Sequence, residues 1–76
     1  MNKAKRARLA AIYDNIVGLQ GLLEEIMDEE QEALDNMPEN LQSSQRCQVM
    51  NDAIWSIVEA SNNLGYAADN IEEVIK

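Results

Sequence analysis

The chain has 76 residues and carries fourteen acidic against six basic side chains, a formal net charge of −8. This length limits it to one small domain, which on its own leaves much of its surface in water, so we expect self-association to stabilise it. The acidic charge argues against general affinity for nucleic acid or an anionic membrane and favours a basic partner protein. The absence of histidine excludes histidine-based catalysis, and one cysteine cannot form an internal disulfide.

Apolar residues in the first half recur at alternating steps of three and four, the spacing of a helix that faces a partner helix. This ladder consists of Leu9, Ile12, Ile16, Leu19, Leu23 and Ile26, followed by Glu30, Ala33 and Met37. It predicts a helix over about residues 3–36, with the whole ladder forming the seam against a second helix. Further apolar residues flank the ladder, so the stripe is wider than one partner helix would cover. They are Tyr13, Leu22, Met27 and Leu34.

A turn is predicted over residues 37–43. Pro38 biases Met37 away from helical geometry, and either Ser43 or Ser44 is suited to cap the helix that follows. The chain therefore changes direction at its only proline.

The second helix is predicted over about residues 44–75. Its seam consists of Met50, Ile54, Ile57, Ser61, Leu64, Ala68, Ile71 and Ile75. Cys47 lies one heptad before Ile54, which predicts a small core residue. A small residue precedes every second seam position and permits close helix approach. These residues are Ala53, Ala60, Ala67 and Val74.

The two arms are nearly equal in length, so we expect an all-α fold, a two-helix antiparallel hairpin in one domain. The wide apolar stripe favours a homodimer that forms a four-helix bundle, although a higher homo-oligomer fits the same pattern. Polar residues interrupt the amphipathic start of the chain at Asp14 and Asn15. We therefore expect a cytoplasmic protein with neither a signal peptide nor a membrane span.

Two groups of residues are candidates for binding a partner protein. Acidic residues project outward from the first helix, and aromatic and acidic residues lie off the seam of the second, where exposed Trp and Tyr make good anchors. The candidates are Glu25, Asp28, Glu29, Glu32, Trp55, Glu59 and Tyr66. In the alternative interpretation, the acids are a solvated surface and Trp55 packs inside the oligomer interface.

A third group of residues could bind phosphate. It consists of Lys5, Arg6, Arg8 and Arg46. The order of proline, turn, arginine and tryptophan from Pro38 to Trp55 is similar to that in helical hairpins of phage proteins that sequester cyclic-nucleotide immune signals. This resemblance implies an alternative function as an oligomeric sponge for such a signal.

An enzymatic function is not expected. Glu24, Glu25 and Asp28 form the pattern EExxD, which resembles the magnesium-binding EExxE element of all-α nucleoside triphosphate pyrophosphohydrolases. The second element reads Glu59-x-x-Asn62, with an amide where that family has a carboxylate, and the side chains point outward. We therefore expect no catalytic site, no metal and no cofactor.

The segment LDNMPENLQSSQRCQVMNDAI and the heptads after it resemble small uncharacterised acidic helical-hairpin proteins of Gram-positive phages and prophages. The resemblance spans residues 22–76 and implies phage origin and a hairpin, without a defined activity. In that context we expect a binding protein that inhibits a host or anti-phage defence factor inside the bacterial cell. The alternatives are the nucleotide sponge and a structural oligomerisation module.

Overall fold

The computed structural model describes residues 1–41 and 44–76. Helix α1 spans Lys3–Asp35 and helix α2 spans Gln45–Ile75, with a short 3₁₀ helix at Glu39–Leu41 between them. The two helices lie side by side along a rod of 60 × 14 × 13 Å. The all-α helical hairpin is thus confirmed. Of the predicted turn, residues 42 and 43 lie outside the described residues.

Each helix begins at a polar cap. Asn2 precedes α1, and its Oδ1 accepts a hydrogen bond of 2.8 Å from the backbone N–H of Lys5. Ser44 precedes α2, and its Oγ accepts one of 3.3 Å from the backbone N–H of Cys47. These bonds satisfy backbone donors that have no partner within the first turn of a helix. Ser44 is therefore the cap, and the alternative, Ser43, lies outside the described residues.

The predicted seam of α2 is confirmed. All eight of its ladder residues are buried or half-buried. Ile54 and Ala68, together with Cys47, are the most enclosed, with only 4–8% of each residue exposed. The prediction of Cys47 as a small core residue is also confirmed.

The predicted seam of α1 is only half right. Five of its nine residues are half-buried as expected, namely Leu9, Ile16, Leu23, Glu30 and Met37. The other four, Ile12, Leu19, Ile26 and Ala33, are exposed. The side chains that face α2 in their place lie one position further along the chain. They are Tyr13, Gln20, Met27 and Leu34.

Helix α1 is thus rotated about its own axis relative to the prediction. Two rows of its side chains compete to face α2. In each row the residues recur every seven positions. One row begins at Ile12 and the other at Tyr13, and they lie on opposite sides of Leu9, Ile16 and Leu23. A single partner helix covers only one of the two rows. The chosen row carries polar ends that find partners on α2, at Tyr13 and Gln20. The excluded row is purely aliphatic and gains no hydrogen bond by facing α2.

The interior of the hairpin is thin. Helix α1 contains no buried residue along its 33 positions, and only three residues of α2 are buried. Neither described helix has a stretch long and apolar enough to span a bilayer. The hairpin thus exposes large apolar side chains over much of its length, and their position defines the surfaces described below.

Candidate protein-binding surfaces

Two hydrogen bonds between the helices show how the hairpin is oriented. Gln20 Nε2 donates to the backbone carbonyl of Ser61 at 2.9 Å, and the Tyr13 hydroxyl donates to Glu72 Oε2 at 3.3 Å. Both bonds lie on one flank of the seam, which we call the polar flank. Residues one position earlier on each helix, such as Ile12 and Ile71, lie about 100° away and so border the opposite flank.

The acidic groups around Tyr13 change its titration. The negative charge of Glu72 raises the pKa of the phenol above its ordinary value of 10.0, and partial desolvation, the hydrogen bond to Glu72 and the charges of Asp69 and Asp14 act in the same direction. The neutral phenol is the form that donates to Glu72. At neutral pH the phenol is therefore protonated and can donate this hydrogen bond between the helices.

An aromatic and acidic surface runs along the outside of α2. Trp55 is 71% exposed and Tyr66 is 67% exposed, and Glu59 and Asn62 between them are also exposed. The steps of four, three and four residues place all four side chains on one side of the helix. We call this surface the aromatic face.

A surface groove of about 330 Å³ adjoins the aromatic face at Trp55. Its apolar walls come from both helices, and the indole forms one edge. It is lined by Met27, Gln31, Asn51, Ile54, Trp55 and Val58. Because Met27 belongs to the same row as Gln20, this groove lies on the polar flank of the hairpin.

The predicted acidic candidates lie on the outside of α1. Glu25, Asp28, Glu29 and Glu32 are all exposed. Across residues 1–41 and 44–76, the one ion pair joins Lys76 and Glu73 at 2.7 Å. None of the four carboxylates therefore forms an ion pair with a basic side chain in these ranges. Among the same residues, no group of acidic or cysteine side chains is arranged to hold a metal ion.

A broad apolar surface occupies the flank opposite the polar one. On α1, Ile12, Leu19, Leu22 and Ile26 are between 47% and 55% exposed. On α2 the same flank carries small residues. Each of them lies four positions before or three positions after Ile57 or Ile71, the seam residues that border this flank. They are Ala53, Ala60, Ala67 and Val74. We call these eight residues the apolar face.

The predicted phosphate-binding residues are divided between the two ends of the rod. Lys5 and Arg8 line one groove of about 230 Å³ together with Met1, Leu9 and Ile12, whereas Arg6 does not line it. Arg46 lies in the first turn of α2, at the far end of the rod. The length of α1 places it about 45 Å from Lys5 within one chain, so a single hairpin does not assemble the four cations.

Sequence reasoning missed the apolar face as a surface separate from the seam. The available signal was the presence of two competing rows in α1, one that contains the polar Gln20 and one that is aliphatic throughout.

Comparison with family models, with curated proteins and with solved structures finds no match for this chain. Its function is therefore inferred from its own surfaces.

Proposed function

We propose that this chain is a non-enzymatic binding protein that inhibits a basic host or anti-phage defence protein in the bacterial cytoplasm, as a phage-type inhibitor would. The observation that supports this function best is the exposure of Trp55 and Tyr66 on the aromatic face. Two large aromatic side chains open on one side of a helix offer a partner protein two contact anchors.

The aromatic face has the composition of a contact site. Trp and Tyr bury a large area and lose little rotamer freedom, so they dominate binding energy at many interfaces. The groove beside Trp55 offers an apolar recess for a side chain of the partner. Glu59 and Asn62 supply a carboxylate and an amide between the two rings, which favours a partner with basic and hydrogen-bonding groups.

The exposed acids of α1 have a different role in this proposal. Glu25, Asp28, Glu29 and Glu32 lie in water, where each ion pair contributes little to affinity. Their combined field attracts a positively charged partner from a distance and raises the rate of association. We therefore assign affinity to the aromatic face and speed of association to the acidic residues.

We further propose that the working unit is a homodimer in the form of a four-helix bundle. The absence of any buried residue in α1 supports this assembly, because two paired hairpins would enclose side chains that one hairpin leaves in water. A higher homo-oligomer is the alternative, and mass measurement in solution distinguishes the two.

The test is affinity capture from a lysate of the bacterial host, followed by measurement of the affinity of the purified partner. Trp55→Ala should weaken binding by about 30-fold or more, the effect of truncating an interface anchor. Val49→Ala is the matched control, since Val49 is 60% exposed on another side of the same helix. Equal affinity for wild type and Trp55→Ala would contradict the proposal.

The acidic residues need a separate variant. Reversing Glu25, Asp28, Glu29 and Glu32 to lysine should slow association and reduce its dependence on salt, with a smaller change in dissociation. If capture yields no partner at all, the structural oligomerisation module becomes the better description.

A second candidate function is favoured by the groove at the amino terminus. Lys5 and Arg8 border an apolar recess there, which suits a ligand with a phosphate and a planar base, as in a cyclic nucleotide sponge. Such a ligand should raise the melting temperature of the wild type and not that of the Lys5→Ala, Arg6→Ala, Arg8→Ala variant. No shift with any cyclic oligonucleotide would eliminate this candidate.

A further inference from the structure

The apolar face is a surface that the proposed partner-binding site does not use. Trp55 borders the groove on the polar flank, together with Met27. The apolar face lies on the opposite flank, where Ile12, Leu19, Leu22 and Ile26 remain 47–55% exposed. Its occupant therefore need not compete with a partner bound at the aromatic face.

The side of the rod that carries the apolar face is large enough for a stable protein interface. The rod is 60 Å long and 14 Å wide, so one side of it offers on the order of 800 Å², the area that each partner buries in a standard interface. Large aliphatic residues lie along α1, and alanines along α2 allow a close approach. A second hairpin presents a surface of the same length and chemistry.

Charge is distributed unevenly along the rod. The hydrogen bond between Gln20 and Ser61 marks its middle. The half made of residues 1–20 and 61–76 holds five basic and four acidic side chains, and we call it the neutral half. The half made of residues 21–60, the acidic half, holds one basic and ten acidic side chains.

This distribution discriminates between the two ways in which two apolar faces can pair. If the rods point in the same direction, the two acidic halves lie side by side and repel each other. If they point in opposite directions, each acidic half lies beside a neutral half, which contains the cluster Lys3, Lys5, Arg6 and Arg8. Repulsion between charges at this range is reduced but not removed by physiological salt.

We infer that a second copy of the chain covers the apolar face, with the two rods pointing in opposite directions. Helix α1 then packs on α1 of the second copy. The two-fold axis that relates the copies crosses the apolar face at the height of Gln20 along the rod. Leu19 and Leu22 lie on either side of that level, so Leu19 of each copy meets Leu22 of the other. This inference rests on the proposed homodimer and adds its surface and its direction.

The direction can be measured by pulsed electron paramagnetic resonance between spin labels on the two copies. The labels are attached to Ala4→Cys or Gly18→Cys in a Cys47→Ala background, after circular dichroism has shown that the variants stay helical. Opposed rods place the labels at position 4 about 50 Å apart, since that position lies far from the axis. The labels at position 18 then lie within about 30 Å of each other.

Each outcome has a distinct meaning. A long distance at position 4 with a short one at position 18 supports the inference. Short distances at both positions would show rods pointing in the same direction and would overturn it, as would the absence of any dipolar coupling at position 18.

The surface is tested by substitution at its centre. Leu19→Gln together with Leu22→Gln should shift the mass in solution from dimer towards monomer, whereas Val17→Gln should not. Val17 is the matched control because it is 44% exposed and lies about 160° around α1 from Leu19. An unchanged mass in the double variant would overturn the inference.

These tests are independent of the proposed inhibitor function. Capture of a partner depends on Trp55, whereas the mass and the label distances depend on Leu19, Leu22 and the direction of the rods. A dimer with the expected distances and no partner would contradict the inhibitor alone, and a monomer that binds a partner through Trp55 would contradict the dimer alone.

Discussion

The side chain of Gln20 occupies the space that a side chain on Gly65 would need. A β-carbon built on Gly65 would lie 2.9 Å from Gln20 Nε2, closer than real contacts allow. The absence of a side chain at position 65 lets the amide reach across α2 and donate to the carbonyl of Ser61. One glycine thus permits a hydrogen bond between the helices at the middle of the rod.

This relationship predicts a coupling between the two positions. Gly65→Ala gains about 1 kcal/mol of helix propensity but displaces the Gln20 amide and loses a hydrogen bond worth about 1 kcal/mol. The single variant should therefore leave the free energy of unfolding nearly unchanged. In a Gln20→Ala background, the same substitution should stabilise by about 1 kcal/mol. Urea unfolding at one fixed protein concentration measures both, and equal effects in the two backgrounds would contradict the coupling.

Gly21 provides the uncoupled case. A β-carbon on Gly21 meets nothing within 4 Å outside its own helix, so Gly21→Ala should raise the free energy of unfolding by up to about 1 kcal/mol. Urea unfolding of this variant with and without Gln20→Ala should give the same gain. A loss of stability would show that another chain approaches α1 at this glycine.

Because of Tyr13, we expect the free energy of unfolding to depend on pH in the alkaline range. Because its pKa is raised in the folded chain, the folded state holds the phenolic proton more tightly than the unfolded state does. The resulting stabilisation is complete below the unfolded value of about 10 and is lost as the pH rises through the folded pKa. The difference in unfolding free energy between wild type and Tyr13→Phe should therefore stay constant up to about pH 10 and shrink as the pH rises above it.

The cause of the Tyr13 shift can be tested separately. Glu72→Gln removes the charge that raises the pKa most, so the phenol should ionise at lower pH in this variant. Ultraviolet absorbance of tyrosinate, recorded in a Tyr66→Phe background, reports Tyr13 alone among the tyrosines. An unchanged titration after Glu72→Gln would show that the carboxylate does not act on this phenol.

The cap of α2 gives a further prediction. Ser44→Ala removes the acceptor for the backbone N–H of Cys47 and should lower the free energy of unfolding by about 1 kcal/mol. Ser56→Ala is the matched control, since this exposed serine lies within α2 and its replacement should stabilise by up to about 0.5 kcal/mol. Similar effects of the two variants in chemical denaturation would show that the cap contributes nothing.

The two halves of the chain were not equally predictable. In α2, the apolar seam is flanked by alanines on one side and by the mixed row Asn51, Val58, Gly65 and Glu72 on the other. No second apolar row competes with it, so periodicity identified Ile54, Ser61 and Ala68 as seam residues. In α1, apolar residues flank the central row on both sides. Periodicity therefore placed Ile12 and Leu19 in the seam, although the structure places Tyr13 and Gln20 there.

The candidate surfaces show the same division. The exposure of Trp55 and Tyr66 followed from their positions off the α2 seam, since a helix turns its side chains outward in a fixed order. The grouping of cations did not follow from the sequence, because Lys5 and Arg46 are distributed between the two ends of the hairpin. Proximity across helices depends on how they pack, which spacing within each helix does not describe.

The sequence by itself determined that the chain forms two long helices, that the segment connecting them contains Pro38, and that a seam runs along α2. It also placed the ends of both helices to within a residue or two. Those features depend on local preferences: apolar spacing, a proline and a serine cap. Only the tertiary structure decided which flank of α1 faces α2, because two rows compete for one partner. The hydrogen bonds on the flank that faces α2 join Gln20 to Ser61 and Tyr13 to Glu72, residues that are far apart in the chain.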